Sequence, residues 1–156
     1  MNKKKKWIPV LSGAGLTLLA GGISALFTSS SMDIYPTLNQ PPLSPPGILF
    51  PIVWSILYAV IGAGAGLIYL RTGSFHNTAL RLYLLQLLFN VLWPVWFFNL
   101  QWFGFAFFWL ITLWILIILT IFAFYKILPL SAWLLIPYFT WVTFAAYLNL
   151  GIWWLN

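Results

Sequence analysis

Residues 131–156 read SAWLLIPYFTWVTFAAYLNLGIWWLN. The stretch carries no charge and is about as long as a helix that crosses a bilayer, which needs about 20 apolar residues. Pro137, Trp141 and Asn149 interrupt the apolar run, and a helix facing only lipid needs none of them. Pro137 removes a backbone donor and frees the carbonyl of Trp133, a cost tolerated in a membrane helix where neighbours re-satisfy it. Trp141 falls about ten residues in, roughly 15 Å along a helix axis and near mid-bilayer. Tryptophan favours the interface, so a deep indole implies packing inside protein. Asn149 is an amide that requires a partner in hydrocarbon. Pro137, Trp141, Ala145 and Asn149 recur at i+4 and share one face, which predicts the wall of a cavity.

The rest of the chain has the same character. Of its 156 residues 63% are hydrophobic and 5% charged, against about 25% charge in a soluble domain. The length therefore divides into spans, and the predicted fold class is all-α: a polytopic membrane protein built as a bundle of five transmembrane helices in one domain. The absence of cysteine excludes disulfides and thiolate chemistry. One histidine, His76, and one acid, Asp33, cannot build a metal cage or a carboxylate pair. No metal and no cofactor is expected. The net charge of +6 is distributed as a membrane topology requires and is not a nucleic-acid footprint.

Lys3 to Lys6 precede the first span, residues 7–27. A signal peptide also begins basic then apolar, but its apolar core is about 7 to 15 residues, so a retained span is expected. Gly13, Thr17, Gly21 and Ala25 form a small-residue ladder, suited to close packing within the monomer or to a dimer face. Residues 28–46, TSSSMDIYPTLNQPPLSPP, form the one long loop. Its five prolines predict a stiff, extended segment, either a connector across the bundle mouth or a lid over a ligand.

The second span, residues 47–70, places Trp54 and Tyr58 on one face and holds Gly62 and Gly66 in a GxxxG pair. Trp54 is close enough to the helix start to serve as an interfacial anchor instead of a pocket residue. The third span, residues 79–99, lines up Gln86, Asn90, Trp93 and Phe97 beside Pro94, an inward stripe of interhelical amide bonds or of ligand contacts. The fourth, residues 104–125, is almost free of polar groups and is expected to be the most lipid-exposed, with Trp109 and Trp114 as packing residues. The fifth, residues 131–153, is the stretch quoted first. His76 lies in a polar turn and is expected to be solvated.

All seven basic residues fall on one side of this count: Lys3 to Lys6, Arg71, Arg81 and Lys126. The predicted topology has the N-terminus in the cytoplasm and the proline-rich loop and C-terminus outside.

No span carries a charge in its interior, which disfavours a proton or ion pathway. Nor can a Ser-His-Asp or Cys-His set be assembled. What remains is aromatic, with 11 Trp, 14 Phe and 7 Tyr. Indole and phenol rings offer broad π-faces with one donor each, and a pocket of such rings with a few amides suits a flat apolar ligand with sparse polar handles, such as a tetrapyrrole or a sterol.

At this point three blocks of sequence resemble the tryptophan-rich sensory protein and translocator protein family, also called the peripheral benzodiazepine receptor family. Tyr35, Leu38, Pro41, Pro45 and Pro46 follow its Y-x-x-L-x-x-P-x-x-x-P-P pattern and lead to Trp54 of a W-x-x-L-Y segment. Asn90 and Trp93 are followed by a run of aromatics, and the last span carries PYFTW, AAYLN and IWWLN. The resemblance implies a five-helix bundle in a bacterial cell membrane, a homodimer, and a pocket under the first loop. It further implies a binding protein for porphyrins such as protoporphyrin IX, linked to tetrapyrrole regulation; animal members bind cholesterol and synthetic benzodiazepine or isoquinoline carboxamide ligands. Carried over by position, Trp54 and Trp141 are the pocket tryptophans that would act if the protein degrades porphyrin in light. Tyr35, Pro45, Asn90, Trp93 and Ala145 would also line the pocket. A transporter of tetrapyrrole or sterol-like lipid is the remaining alternative. This chain lacks the acid that many relatives carry early in the fourth span, and no basic residue follows Tyr147, so sterol recognition through that motif is not supported.

Overall fold

The computed structural model describes residues 3–156. After a short turn at Lys3–Lys6 the elements are α1 (Ile8–Thr28), a 3-10 segment (Ser29–Thr37), α2 (Leu49–Thr72), α3 (Thr78–Pro94) with a π turn at Val95–Asn99, α4 (Phe103–Ile127), a short α5 (Pro129–Leu134) and α6 (Ile136–Leu155). Five of the resulting rods are long and apolar enough to cross a membrane: Ile8–Thr37, Leu49–Thr72, Thr78–Asn99, Phe103–Ile127 and Pro129–Leu155. They alternate in direction. One end of the bundle, the basic end, carries Lys5, Lys6, Arg71, Arg81 and Lys126; the other, the loop end, carries residues 28–48, the turn at 100–102 and the C-terminus.

The boundaries have local causes. Gly73 closes α2 in the left-handed region at φ 66°, where a side chain is strained, and its N–H returns to the carbonyl of Tyr69 at 2.8 Å. Asn77 caps α3 by accepting from the N–H of Leu80 at 2.9 Å. Pro94 supplies no donor, and the chain answers with a wider turn in which Leu100 N–H reaches Val95 O at 3.1 Å.

α1 packs chiefly on α2, α3 on α4, and α4 on both α5 and α6. Near the basic end α1 and α2 touch backbone to backbone. A Cβ on Gly62 would meet Thr17 Oγ1 at 2.7 Å and the Cα of Ala14 at 2.8 Å, and one on Gly66 would meet the Cα of Val10 at 2.6 Å. Gly13, Gly62 and Gly66 are thus spent inside the monomer, where the two backbones approach closely.

Three expectations are corrected. Ser29–Thr37 is helical, not extended: one of the five prolines, Pro36, lies within it, its fixed φ suits a 3-10 turn, and the other four follow in the open chain. The last rod is not continuous. It breaks at Leu135, which folds back to Ala132 O at 3.0 Å, so Pro137 sits in the first turn of α6, where a missing N–H costs nothing. The most exposed rod is α1, not α4. α4 buries a full ladder, Ala106, Leu110, Leu113, Ile117, Thr120 and Phe124, because it has neighbours on two sides.

Candidate functional site

A cavity of about 110 Å³ lies in the loop-end half of the bundle. α1 contributes Gly21, Ser24, Ala25 and Thr28, and α2 contributes Phe50, Pro51, Trp54 and Tyr58. Asn90, Trp93 and Pro94 come from α3, with Phe97 and Phe98 from the π turn. Leu110 and Leu113 of α4 and Ala145, Leu148, Asn149 and Ile152 of α6 close the far side, and Met32 and Tyr35 form the roof.

The wall presents ring faces. Trp54 stacks on Tyr58 with centroids 5.4 Å apart and planes at 27°. Trp93 stacks on Phe97 at 5.2 Å and meets Phe98 edge-on at 6.1 Å. Phe97 and Phe98 are adjacent in sequence yet both line the cavity, a placement the π turn after Pro94 provides.

Its polar edges are occupied elsewhere. Tyr58 OH donates to Asn90 Oδ1 at 2.5 Å, Asn90 Nδ2 donates to Tyr138 OH at 2.9 Å, and Tyr138 OH donates to Gln86 Oε1 at 2.6 Å. Trp93 Nε1 donates to Asn149 Oδ1 at 3.0 Å, and Asn149 Nδ2 to the carbonyl of Phe103 at 2.8 Å. Ser24 donates to the carbonyl of Val91 at 2.7 Å. These pairs hold α1, α2, α3, α4 and α6 in register and leave carbon and π faces toward the hollow. Such a wall binds by area and ring contact and gives little to a buried charge.

Of the residues predicted to bind ligand, Tyr35, Trp54, Asn90, Trp93 and Ala145 line this cavity together. Pro45 and Trp141 are not in its lining. The carbonyl of Pro45 accepts the Tyr35 hydroxyl at 3.1 Å and so fixes the roof from behind. Trp141 stands one layer back, edge-on to Phe50 at 6.0 Å and beside Phe144 at 5.5 Å. On the α6 face read from the sequence, Ala145 and Asn149 line the hollow and Pro137 and Trp141 do not. Gln86 is fully buried beneath the site through its bond with Tyr138. Trp109 and Trp114 donate to Phe89 O and Thr143 Oγ1, both at 2.8 Å, as packing residues do. Among the described residues no group of three His, Cys, Asp or Glu side chains could hold a metal ion.

Comparison with known proteins gives concordant matches. A family model described as the TspO/MBR family matches residues 13–155. The tryptophan-rich protein TspO of Chlorobaculum tepidum is 37% identical over 146 residues, which cover 91% of this chain and 92% of that one. The translocator protein of Bos taurus is 32% identical over 151 residues, 94% of this chain and 89% of its own. Protein CrtK of Rhodobacter capsulatus is 31% identical over 139 residues, 88% and 86% of the two chains.

Proposed function

The chain belongs to the TspO/MBR family and is an integral membrane protein, and from this premise we propose that it is a receptor for a porphyrin such as protoporphyrin IX, or for a similarly flat and hydrophobic molecule, with a part in tetrapyrrole regulation. The observation that carries the proposal is the cavity wall, where Trp54, Tyr58, Trp93, Phe97 and Phe98 present their rings while the Tyr58 hydroxyl and the Trp93 indole N–H are bonded to Asn90 and Asn149. Binding energy comes from ring area removed from water and lipid, about 25 cal/mol per Å² before ordering costs. A macrocycle is larger than about 110 Å³, so the cavity widens to admit it, and the ring enters by an apolar edge. Titration of protoporphyrin IX into the reconstituted protein tests this through tryptophan fluorescence. Saturable quenching is expected, and its absence removes the proposal.

A second reading, light-dependent porphyrin degradation, is favoured by Trp54 alone, whose indole lies on the cavity wall. Trp141 would act only through the intervening Phe50. Bleaching of bound porphyrin in light and oxygen faster than bleaching of free porphyrin is its test, and equal rates exclude it. The proposal also places the protein in a bacterial cell membrane as a homodimer, with the N-terminus in the cytoplasm because the basic residues gather at that end. Protease access to tags at both ends checks the orientation.

A further inference from the structure

We infer that the ligand enters sideways from the hydrocarbon of the bilayer, through a gap between the loop-end halves of α1 and α2, and not past the loop. The inference rests on the receptor proposal above and adds the route and the class of molecule that can use it.

The loop side is fastened to the end of α6. Asn156 accepts the N–H of Asn39 on its side-chain oxygen at 3.0 Å and returns Nδ2 to the carbonyl of Asn39 at 2.9 Å, so one side chain pairs with the loop as a second strand would. Tyr147 OH donates to the carbonyl of Pro42 at 2.7 Å. The Pro41 ring lies so close to Gly151 that an added Cβ there would meet its Cγ at 2.5 Å. Within the loop, Tyr35 OH is bonded to Pro45 O and Gln40 Nε2 to Tyr35 O, at 3.1 and 2.7 Å. Residues 35–45 are thereby tied to one another and to the C-terminus, and passage between them requires several polar contacts to break together.

The α1–α2 side is built differently along its length. At the basic end the glycine contacts clamp the two backbones. At Gly21 the partner is the ring of Tyr58 instead of a backbone, so a side chain separates the helices there. Beyond it, Ala25 of α1 and Pro51 of α2 are the two cavity-lining residues whose surfaces are exposed, with Phe50 and Trp54 half-buried behind them. Neither rim side chain carries a polar atom, and the neighbouring Ser55 hydroxyl is spent on the carbonyl of Pro51 at 2.7 Å. A molecule dissolved in the bilayer crosses this rim without stripping any polar group, whereas a charged edge would have to leave its solvent at a cost nothing on the rim offsets. The route therefore selects ligands that partition into the membrane and present an apolar edge first.

The test uses the full chain in phosphatidylcholine vesicles, with protoporphyrin IX delivered from donor vesicles and association followed by stopped-flow quenching. Ala25→Trp fills the rim and Ala25→Val narrows it; Asn156→Ala releases the loop. Ala25→Trp is expected to slow association about tenfold and Ala25→Val less, while Asn156→Ala stays within about twofold of the parent protein. The valine variant keeps the test decisive if the tryptophan variant fails to fold, which thermal melting reports. Unchanged rates in the Ala25 variants, or faster association in Asn156→Ala alone, overturn the route and leave the receptor proposal standing. Absence of quenching in the parent protein removes both.

Discussion

The indole of Trp93 donates across 3.0 Å to the side-chain oxygen of Asn149, and both residues line the cavity. Because Asn149 also donates to Phe103 O at 2.8 Å, a single amide joins α3, α6 and the start of α4. Asn149→Leu removes both bonds and leaves an N–H and a carbonyl unpaired away from water. Hydrogen bonds between membrane helices average about 0.6 kcal/mol with a maximum near 1.7, so a loss of about 1–3 kcal/mol is expected. Thermal unfolding in detergent measures it; an unchanged melting temperature contradicts this role.

The glycines of α1 and α2 make two opposite predictions. In α2, Gly62→Ala drives a Cβ into Thr17 Oγ1 and the Ala14 backbone and is expected to cost about 1–3 kcal/mol by forcing the helices apart. Gly15 and Gly22 have nothing within 4 Å of an added Cβ. Gly15→Ala and Gly22→Ala are therefore expected to be neutral or stabilising, by up to about 1 kcal/mol, since alanine favours a helix. Melting of the three variants side by side separates packing from propensity.

Tyr138 and Tyr58 differ in what they hold. Tyr138 OH bridges Gln86 and Asn90, whereas Tyr58 OH makes one bond, to Asn90. Tyr138→Phe strands two buried amides and is expected to lose about 1–3 kcal/mol, more than Tyr58→Phe. Tyr58→Phe keeps the ring under Trp54, so it is also expected to retain porphyrin binding. Equal destabilisation by the two would show that the chain of bonds is not a connected unit.

The inward stripe of α3 was legible because amides in lipid need partners: Gln86, Asn90, Trp93 and Phe97 are all buried. The α6 face was legible only in part. Residues four apart advance about 40° past a full turn at each step, so Pro137 and Asn149 are roughly 120° apart around the helix. That drift, with the break at Leu135, turns Trp141 off the cavity that Ala145 and Asn149 face. Phe98 was hidden because Pro94 marks a disturbed ladder without saying that a π turn will bring adjacent rings to one side. Ser24 and Thr28 were missed since polar residues at the end of a span look like the start of a loop; their hydroxyls instead bond to Val91 O and Ser24 O at 2.7 and 3.0 Å.

The most direct measurement compares the affinity for protoporphyrin IX, read from the porphyrin's own absorbance, in Trp54→Ala and in Trp141→Ala. Trp54 is on the cavity wall and Trp141 lies behind Phe50. Loss of a large ring from a contact surface is worth about 1.5–3 kcal/mol, or roughly 10- to 100-fold in affinity. That loss is expected for Trp54→Ala, and a change within about threefold for Trp141→Ala. Full affinity in Trp54→Ala would contradict binding at this wall.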